Sequence, residues 1–492
     1  MRLQGFSLAV AAVAAAAAIT PTAPARVAAA GARVKNVILF VGDGMGVSTV
    51  SAARIFKAGV SGQLTIDTLP FTALSRTYSA DAITPDSAPT ATALYSGYNT
   101  NNSVLGLDQT TEAHDFNHDG DGARLTTFFE LAKKKGKAIG FASTARITHA
   151  TPAAGYAHTN NRDLENDIAL QALPTDPTFN TLLGNGIDVL VGGGRRQFVS
   201  NKVTDEEGDK GSRTDGRDLR AEYQAAGYTY VWNGAQWNSL PKNSGKVLAL
   251  LESSHMEYEW DRPLDVGGEP TLAEMTTKSI DLLSQDPDGF ALMVEGGRID
   301  HAHHEGNAWR AMVDTAAFDD AIAAALAKVD LEETLILVTA DHSHVFNIAG
   351  YPLRPKNELP YAVSSYPATF AAPAGNGLFD NVYEVNESTG AVGFSKDRNG
   401  VPYTVLVYGN GPGYRGVPRV DPYVDPFLGR DKQPTSGPAD PDYFQESAVP
   451  MGSETHAGED VSIYAIGAGS KTFHGTVKNT FVFWRVKDLL GL

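Results

Sequence analysis

The stretch VKNVILFVGDGMG, residues Val34–Gly46, contains an apolar run at Val37–Val41 and then places Asp43 between two glycines. Three further apolar runs are also followed by polar residues; they are Ala138–Ala142, Phe290–Val294 and Leu335–Thr339. Continuous rather than alternating apolar runs are typical of strands that are buried on both faces of a parallel sheet. The sequence therefore predicts a parallel sheet covered by helices.

Segments with a helical period lie between these runs, namely Leu125–Lys137, Thr271–Gln285 and Ala308–Val329. Strands that alternate with helices predict an α/β fold, doubly wound, with a mainly parallel sheet flanked by helices. Ligands of such folds bind at the carboxyl ends of the strands. Because polar groups follow four separate strands, we expect them to converge on one site.

Residues 31–492 are predicted to form a single catalytic domain with two insertions. The stretch 347–450 is rich in Pro, Gly and Asp and has few long apolar runs, which predicts a loop-rich insertion. Residues 196–243 are predicted to form a second, smaller insertion.

The first 30 residues have the pattern of an export signal. Arg2 precedes an alanine-rich apolar run at Leu8–Ile19, and small residues suited to cleavage follow. The run is too short to cross a membrane. We therefore expect a signal peptide at 1–30, a periplasmic or secreted protein, and no membrane anchor.

Composition excludes several classes of function. The net charge of −17 and the pI near 5.1 argue against nucleic acid as a partner, because phosphate backbones require a basic face. Small anionic substrates remain compatible, since bound metal ions can make a cleft locally positive. The chain has 0 cysteines, which excludes a cysteine nucleophile and thiolate metal ligands.

The stretch VEGGRIDHAHHEGN, residues Val294–Asn307, concentrates carboxylates and histidines. Asp300 and His304 are four residues apart and would share a face of a helical turn, and His303, three residues from Asp300, would share it too. Asp, Glu and His ligands without thiolates suit zinc or magnesium. The alternative is a solvated surface turn.

Other candidate residues are each weak alone. Asp43, the pair Asp341 and His342, and His456 lie next to apolar strands. Ser87 lies near the start of a helix predicted over Thr90–Tyr95, where free backbone N–H groups favour anions. In isolation Ser87 is more often an N-cap than a nucleophile. Arg162 suits bidentate phosphate binding, or else a surface ion pair.

Together these motifs resemble the alkaline phosphatase family. The resemblance rests on motifs that follow the family's order from Val41 to Asp460, namely GDGMG, PDSAPTATA, TARITHATPAAGYAHTNNR, VEGGRIDHAHH, VTADHSHVF, GYPLR, YGNGPGY and ETHAGED. It implies an enzyme that hydrolyses small phosphate monoesters at alkaline pH and binds two zinc ions and one magnesium ion per subunit.

The resemblance also assigns roles to residues. It implies one zinc held by Asp300, His304 and His456, and a second held by Asp43, Asp341 and His342 with Ser87. It implies magnesium between Asp43, Thr151 and Glu295, and a substrate phosphate clamped by Arg162. Ser87 would form a phosphoserine that water then hydrolyses.

Departures place this chain with the animal-type members. His149 and His301 stand where another version of the family has Asp and Lys, so we expect a water relay at His149 and a less tightly held magnesium. Pro89 replaces a usual small residue. The 347–450 insertion matches the family's crown and dimer contacts, which implies a homodimer.

The resemblance leaves three questions open. A fourth, calcium-like site at Glu222, Glu252 and Glu269 competes with solvated acidic residues. A phosphodiesterase with the same metals is the serious rival for the activity, and the Arg162 and magnesium set favours a monoester. A phosphate- or metal-binding protein without turnover is the rival from another class.

Overall fold

The computed structural model describes residues 34–115, 121–352, 377–386, 388–389, 391–397, 400–415 and 437–492. The predicted signal peptide lies outside these residues, as do parts of the predicted 347–450 insertion. The helices are α1 Val47–Ala58, α2 Ser87–Ser96, α3 Phe128–Lys134, α4 Ala150–Ala153, α5 Glu165–Gln171, α6 Leu219–Ala225, α7 Gly234–Ser239, α8 Leu272–Leu283, α9 Arg298–His304, α10 Ala308–Lys328 and α11 Phe481–Leu490.

The strands include all four of the apolar runs from which the sheet was predicted. They are β1 Asn36–Gly42, β2 Phe71–Arg76, β3 Ala138–Arg146, β4 Val189–Gly193, β5 Thr229–Val231, β6 Val247–Glu252, β7 Phe290–Gly296, β8 Thr334–Ala340, β9 Ser343–His344, β10 Phe346–Ile348, β11 Tyr383–Val385, β12 Val392–Phe394, β13 Leu406–Gly411, β14 Glu446–Pro450, β15 His456–Ala457, β16 Val461–Gly467 and β17 Gly475–Lys478.

The central sheet of the described residues has 10 strands in the order β17-β2-β16-β8-β1-β7-β3-β4-β6-β5. Its neighbours run parallel except at β16, which is antiparallel to both β2 and β8. The strands β1, β3, β7 and β8 that the sequence predicted are adjacent at its centre, and each is largely or fully buried. This confirms the predicted doubly wound, mainly parallel α/β fold.

Alternate residues of β1 feed two cores, one on each face of the sheet. Ile38 and Phe40 face the core that includes residues of α1, α8 and α10. Val37, Leu39 and Val41 face the core that includes residues of α2, α3 and α11. Burial on both faces explains why the apolar run is continuous, since every side chain of the strand lies in a core.

The region 196–243 is joined to the central sheet more closely than an insertion requires. Its strand β5 pairs in parallel with β6 and forms an edge of the sheet. Trp237 of α7 is fully buried in the core. The strand β5, which has only 3 residues, was not predicted from the sequence.

The described parts of the 347–450 region form small separate sheets. One sheet has the order β10-β13-β14, and β11 pairs with β12 in another. The residues 353–376 and 416–436 of the predicted crown lie outside the described ranges.

Candidate metal centre and active site

The carboxyl ends of the central strands lie side by side. Gly42 of β1 pairs with Gly296 of β7 and with Ala340 of β8, so Asp43 and Asp341 follow neighbouring strands. Parallel pairing is what aligns these ends, because neighbouring strands then finish at the same edge. The polar residues that follow separate strands in the sequence are thereby brought together.

The first cluster, which we call the helix group, consists of Asp300 and His304 on α9 together with His456. The Nε2 atoms of His304 and His456 lie 3.1 Å apart. Each of them is 3.4 Å from Oδ1 of Asp300. Three ligand atoms from two segments, α9 and β15, therefore converge on one point, as a zinc site requires.

Hydrogen bonds hold both histidine rings of the helix group with Nε2 inward. Nδ1 of His304 lies 2.6 Å from the carbonyl oxygen of Glu454, and Nδ1 of His456 lies 2.8 Å from that of Pro85. Because a carbonyl only accepts, each Nδ1 carries the proton and each Nε2 keeps its lone pair. This is the tautomer of metal-binding histidines.

His344 joins the helix group from behind. Its Nε2 donates to Oδ1 of Asp300 at 2.8 Å, and its Nδ1 donates to Glu454 at 2.5 Å. Burial lowers the pKa of His344, but the hydrogen bonds to Asp300 and Glu454 outweigh burial and raise it to about 10. His344 is thus a buried cation between two carboxylates, a contact that the sequence motifs did not reveal.

Gly44 leaves the space that the His344 ring occupies. Its φ of +65° is in the left-handed region, and a Cβ at this position would collide with Nε2 of His344. Its N–H donates to Oδ1 of Asp341 at 3.0 Å. The second glycine of the GDGMG motif therefore leaves room for His344 and also donates a hydrogen bond to Asp341.

The second cluster, the strand group, consists of Asp43 after β1 and Asp341 and His342 after β8. His342 Nε2 lies 3.4 Å from Asp43 Oδ1 and 3.2 Å from Asp341 Oδ2. The Oγ atom of Ser87 is 3.1 Å from the same nitrogen and 3.5 Å from Asp43 Oδ1. The serine hydroxyl thus belongs to the strand group.

A third cluster shares Asp43 with the strand group. Thr151 Oγ1 is 3.4 Å from Asp43 Oδ2, and ligand atoms of Asp43, His149 and Glu295 lie within 4.8 Å of one another. Ser143 donates a short hydrogen bond to Oε2 of Glu295. Glu295 Oε1 is buried and accepts no hydrogen bond within the described residues, which fits a cation beside this carboxylate.

The charges of these clusters are unbalanced. Burial, with the carboxylates of Asp341 and Asp300 adding to it, raises the pKa of Asp43 well above its usual range. Burial also raises the pKa of Glu295 to about 7 and raises that of Asp341. Buried like charges of this kind are stable when cations lie between them.

Asp300 behaves in the opposite way. Burial raises its pKa, but the neighbouring His304 and the hydrogen bond from His344 outweigh this and hold it well below the usual range. The helix group is therefore internally neutralised, whereas the strand group has an excess of negative charge.

Ser87 is the first residue of α2 and is not its N-cap. Asp86 caps the helix by accepting the N–H of Ala88 at 2.7 Å. The capping role that competed with a nucleophile in the sequence is thus taken by Asp86. The hydroxyl of Ser87 is free to face the strand group, and Pro89 lies in the first turn, where it costs no helical hydrogen bond.

Arg162 lies at the mouth of the site and is half-buried. It contacts Oδ1 of Asp86 at 3.3 Å and donates to Nε2 of His149 at 2.9 Å. Burial lowers its pKa, but Asp86 and Asp43 outweigh this, so the guanidinium stays charged. Its position beside Ser87 suits the clamping of an anion.

Three histidine rings, those of His149, His255 and His301, lie together beside Arg162. His301 lies 5.5 Å from His149 and 4.1 Å from His255, measured between ring centroids. Burial, followed by Arg298, lowers the pKa of His301 to about 3, so its ring is neutral. His255 was missed in the sequence, although it follows β6 as the other site residues follow their strands.

His303 does not belong to the helix group. Its Nε2 lies 3.0 Å from Oγ1 of Thr49, and its Nδ1 lies 2.8 Å from the hydroxyl of Tyr408. The ambiguity between His303 and His304 in the helical spacing is therefore resolved in favour of His304.

The predicted calcium-like residues are only partly together. Ligand atoms of Glu207, Glu252 and Asp265 lie within 4.8 Å of one another. Burial, followed by Asp265, raises the pKa of neighbouring Glu269 to about 9. Glu222 is not in this acidic cluster: both of its carboxylate oxygens pair with Arg217. The choice of Glu222 is corrected by this geometry, because its charge is already neutralised.

None of the helices in the described ranges combines the length and the apolar character of a membrane span.

The sheet and the carboxylate–imidazole clusters at its edge are those of an α/β enzyme with candidate metal-binding groups. The profile of the alkaline phosphatase family matches residues 34–492. The chain belongs to the alkaline phosphatase family, whose members hydrolyse phosphate monoesters. The predicted family and enzyme class are confirmed.

Curated relatives agree with this assignment. The human tissue-nonspecific isozyme of alkaline phosphatase is 37% identical over 473 residues, which cover 91% of this chain and 82% of the relative. Alkaline phosphatase of Gadus morhua is 36% identical, with 92% of this chain and 90% of the relative covered.

Solved structures show the same architecture. Alkaline phosphatase of Thermus thermophilus superposes with a TM-score of 0.64 at 25% identity, covering 94% of this chain and 92% of that chain. The enzyme of the Antarctic bacterium TAB5 has a TM-score of 0.60 at 24% identity and covers 93% of this chain and 99% of that chain, which supports the fold.

Proposed function

We propose that this protein hydrolyses phosphate monoesters to an alcohol and inorganic phosphate at alkaline pH through a phosphoserine at Ser87. The position of Ser87 carries the proposal. Its Oγ lies 3.1 Å from His342 Nε2 at the start of α2, with the charged Arg162 beside it. A nucleophile, metal ligands and an anion clamp in one place are what phosphoryl transfer needs.

The donor sets support two zinc ions and one magnesium ion. The helix group would hold one zinc, and the strand group with Ser87 would hold the second. Asp43, Thr151 and Glu295 would hold magnesium, since they offer oxygen donors. When bound, these ions supply Lewis acidity that activates an oxygen nucleophile and neutralises charge on the phosphoryl group.

Ser87 performs the covalent step. Its Oγ forms a bond to phosphorus while the bond from phosphorus to the alcohol oxygen breaks; the serine proton leaves and the alcohol oxygen takes one up. Water then forms a bond to phosphorus, the bond from phosphorus to Ser87 Oγ breaks, and the serine oxygen regains a proton. Each displacement inverts the configuration at phosphorus, so the two displacements together retain it.

Arg162 and the histidines orient the phosphate. Asp86 and His149 hold the Arg162 guanidinium, so two of its N–H groups can meet two phosphate oxygens. Arg298 donates to Nδ1 of His301 at 3.1 Å, which leaves Nε2–H of His301 as a donor. His149 would relay water to the magnesium cluster, where we expect magnesium to be held less tightly.

We also propose a calcium-like fourth site, a homodimer and export. The acidic cluster of Glu207, Glu252 and Asp265 with Glu269 supports the fourth site. The dimer would form through the 347–450 region, and light scattering of the mature protein would measure it. Export and removal of residues 1–30 are tested by N-terminal sequencing of the secreted product.

The decisive experiment is a rate ratio. Purified protein is stripped with a chelator, reloaded with zinc and magnesium, and assayed on p-nitrophenyl phosphate and on its bis-ester at alkaline pH. We expect the monoester rate to exceed the diester rate by orders of magnitude. Ser87→Ala should abolish turnover, and the control Ser96→Ala, at the other end of the same helix, should retain it.

Each rival has its own outcome. Comparable rates, or a preference for the diester, would support a phosphodiesterase with the same metal clusters. Phosphate binding that survives Ser87→Ala, with no product formed by the unmodified protein, would support a binding protein.

A further inference from the structure

Glu454 contacts the helix group through its backbone. Its N–H donates to the carbonyl oxygen of His304 at 2.8 Å, and its own carbonyl accepts from Nδ1 of His304 at 2.6 Å. These two bonds fix the segment that carries His456, two residues further on, against the end of α9. They also turn the His304 ring so that Nε2 faces Asp300.

The side chain of Glu454 reaches the same cluster by a second route. Its Oε2 accepts from Nδ1 of His344 at 2.5 Å, and Oε1 accepts from the N–H of Val345 at 2.8 Å. His344 in turn donates to Asp300 at 2.8 Å. The carboxylate is thus linked to a predicted metal ligand through one imidazole.

The environment of Glu454 allows little other function. The residue is 1% exposed, and Gly411 packs against it so closely that a Cβ there would lie 3.3 Å from the Glu454 Cβ. A buried carboxylate needs hydrogen bonds that compensate its lost hydration. Here the ring of His344 and the N–H of Val345 supply them, and His344 also bonds to Asp300 of the helix group.

A purely structural Glu–His pair elsewhere in the fold provides a contrast. Glu130 is also 1% exposed and lies 2.9 Å from Nε2 of His158. It caps α3 and bonds to Asn180, and neither it nor His158 contacts a residue of the three clusters in the described hydrogen bonds. The two pairs share their chemistry and differ in what they touch.

We propose that Glu454 is a positioning residue of the helix group: through its carbonyl and its carboxylate it orients His304 and, by way of His344, Asp300 toward one metal ion. The inference rests on the proposed function, because it takes the helix group as a zinc site. Residues behind metal ligands typically change metal affinity by about 10–100-fold when they are replaced.

The experiment compares zinc affinities of Glu454→Gln and Glu130→Gln. Both variants keep the size of the side chain and remove its charge. Zinc binding to chelator-stripped full-length protein is measured by competition with a chromophoric chelator, and cobalt(II) is loaded separately to record its absorption spectrum. For Glu454→Gln we expect one of two zinc sites to weaken by about 10–100-fold, with an altered cobalt spectrum. For Glu130→Gln we expect both to stay unchanged.

Two results would overturn the proposal. One is an unaltered zinc affinity and cobalt spectrum in Glu454→Gln; the other is an equal loss in Glu130→Gln, which would make Glu454 a structural tie. If Glu454→Gln does not fold, Glu454→Asp keeps the charge but shortens the reach, and it should weaken the same site. A wild-type protein that binds no zinc and hydrolyses no monoester would instead refute the proposed function.

Discussion

The helix group and the strand group differ in how the chain assembles them. The strand group follows two neighbouring strands, β1 and β8, whose pairing is part of the central sheet. The helix group needs His456, whose segment is held to α9 by two hydrogen bonds between Glu454 and His304. One cluster is therefore formed by the sheet itself, and the other depends on contacts between distant segments.

Their charges differ as well. The carboxyls of the strand group have raised pKa values, because burial and neighbouring carboxylates favour the protonated form. Asp300 of the helix group has a lowered pKa, since surrounding histidines outweigh burial. Bound cations would therefore stabilise the strand group mainly by charge, whereas protein contacts already balance the carboxylate of the helix group.

The largest expected effect comes from removing a ligand of each group. His342→Ala and His456→Ala should each weaken zinc binding at one site by more than about 100-fold, above the range for residues behind the ligands. Excess zinc should restore turnover in part to His456→Ala, because Asp300 and His304 remain in place. Excess zinc should not restore turnover to His342→Ala, because Ser87 has lost the imidazole beside its hydroxyl. Equal rescue of both variants would contradict the difference between the groups.

The pH dependence of stability gives the next test. A carboxyl whose folded pKa is raised contributes stability that is present at acid pH and is lost as the pH rises through that pKa. For Glu295 the raised value is about 7. The melting temperature of chelator-stripped protein should therefore fall, relative to that of metal-loaded protein, between about pH 4.5 and 7. A gap between the two that narrows with rising pH would contradict the charge argument.

A smaller effect is expected from Asn410, which holds the helix-group segment by two hydrogen bonds to Thr455. Asn410→Ala should lower the free energy of unfolding by about 1–3 kcal/mol and weaken the helix-group zinc by less than Glu454→Gln does. The control is Asn36→Ala, which also removes two hydrogen bonds but at the amino ends of the central strands. Calorimetry with zinc titration measures both variants. If Asn410→Ala and Asn36→Ala changed the zinc affinity equally, the segment that carries His456 would have no particular role in holding the helix group.

The smallest effect is expected at the edge of the sheet. Glu222 pairs with Arg217, and both side chains are about one-third exposed, at 34% and 31%. Glu222→Gln should change stability by less than about 1 kcal/mol and should leave any calcium-induced rise in melting temperature intact. Glu252→Gln should remove that rise. If Glu222→Gln abolished the calcium-induced rise in melting temperature, Glu222 would be a ligand of the fourth site.

The comparison also explains what the sequence could predict. The strands β1, β3, β7 and β8 were predicted because burial on both faces leaves an unbroken apolar run. Asp43, Asp341 and His342 could be placed at one edge because parallel strands end together. The three-residue strand β5 and the antiparallel direction of β16 were not predicted, since short strands and pairing direction leave little local signal.

The helix group shows where local patterns end. Helical spacing allowed both His303 and His304; the family resemblance implied His304, and the contacts of His303 with Thr49 and Tyr408 agree with that choice. His344 and Glu454 were missed because their contacts join distant parts of the chain. Asp300 lies 44 residues from His344 along the chain, and Glu454 lies 110 residues from it. No period in the sequence reports contacts of that range.

Gly44 has a consequence for reading substitutions in this chain. It contributes no side chain to the chemistry, yet its empty space admits His344 and its N–H holds Asp341. In a saturation scan, every replacement at this position should therefore be scored as inactivating, Gly44→Ala included. From that scan alone, Gly44 would be ranked with Ser87 as a reacting residue, although its main contribution is the space that it leaves for the His344 ring.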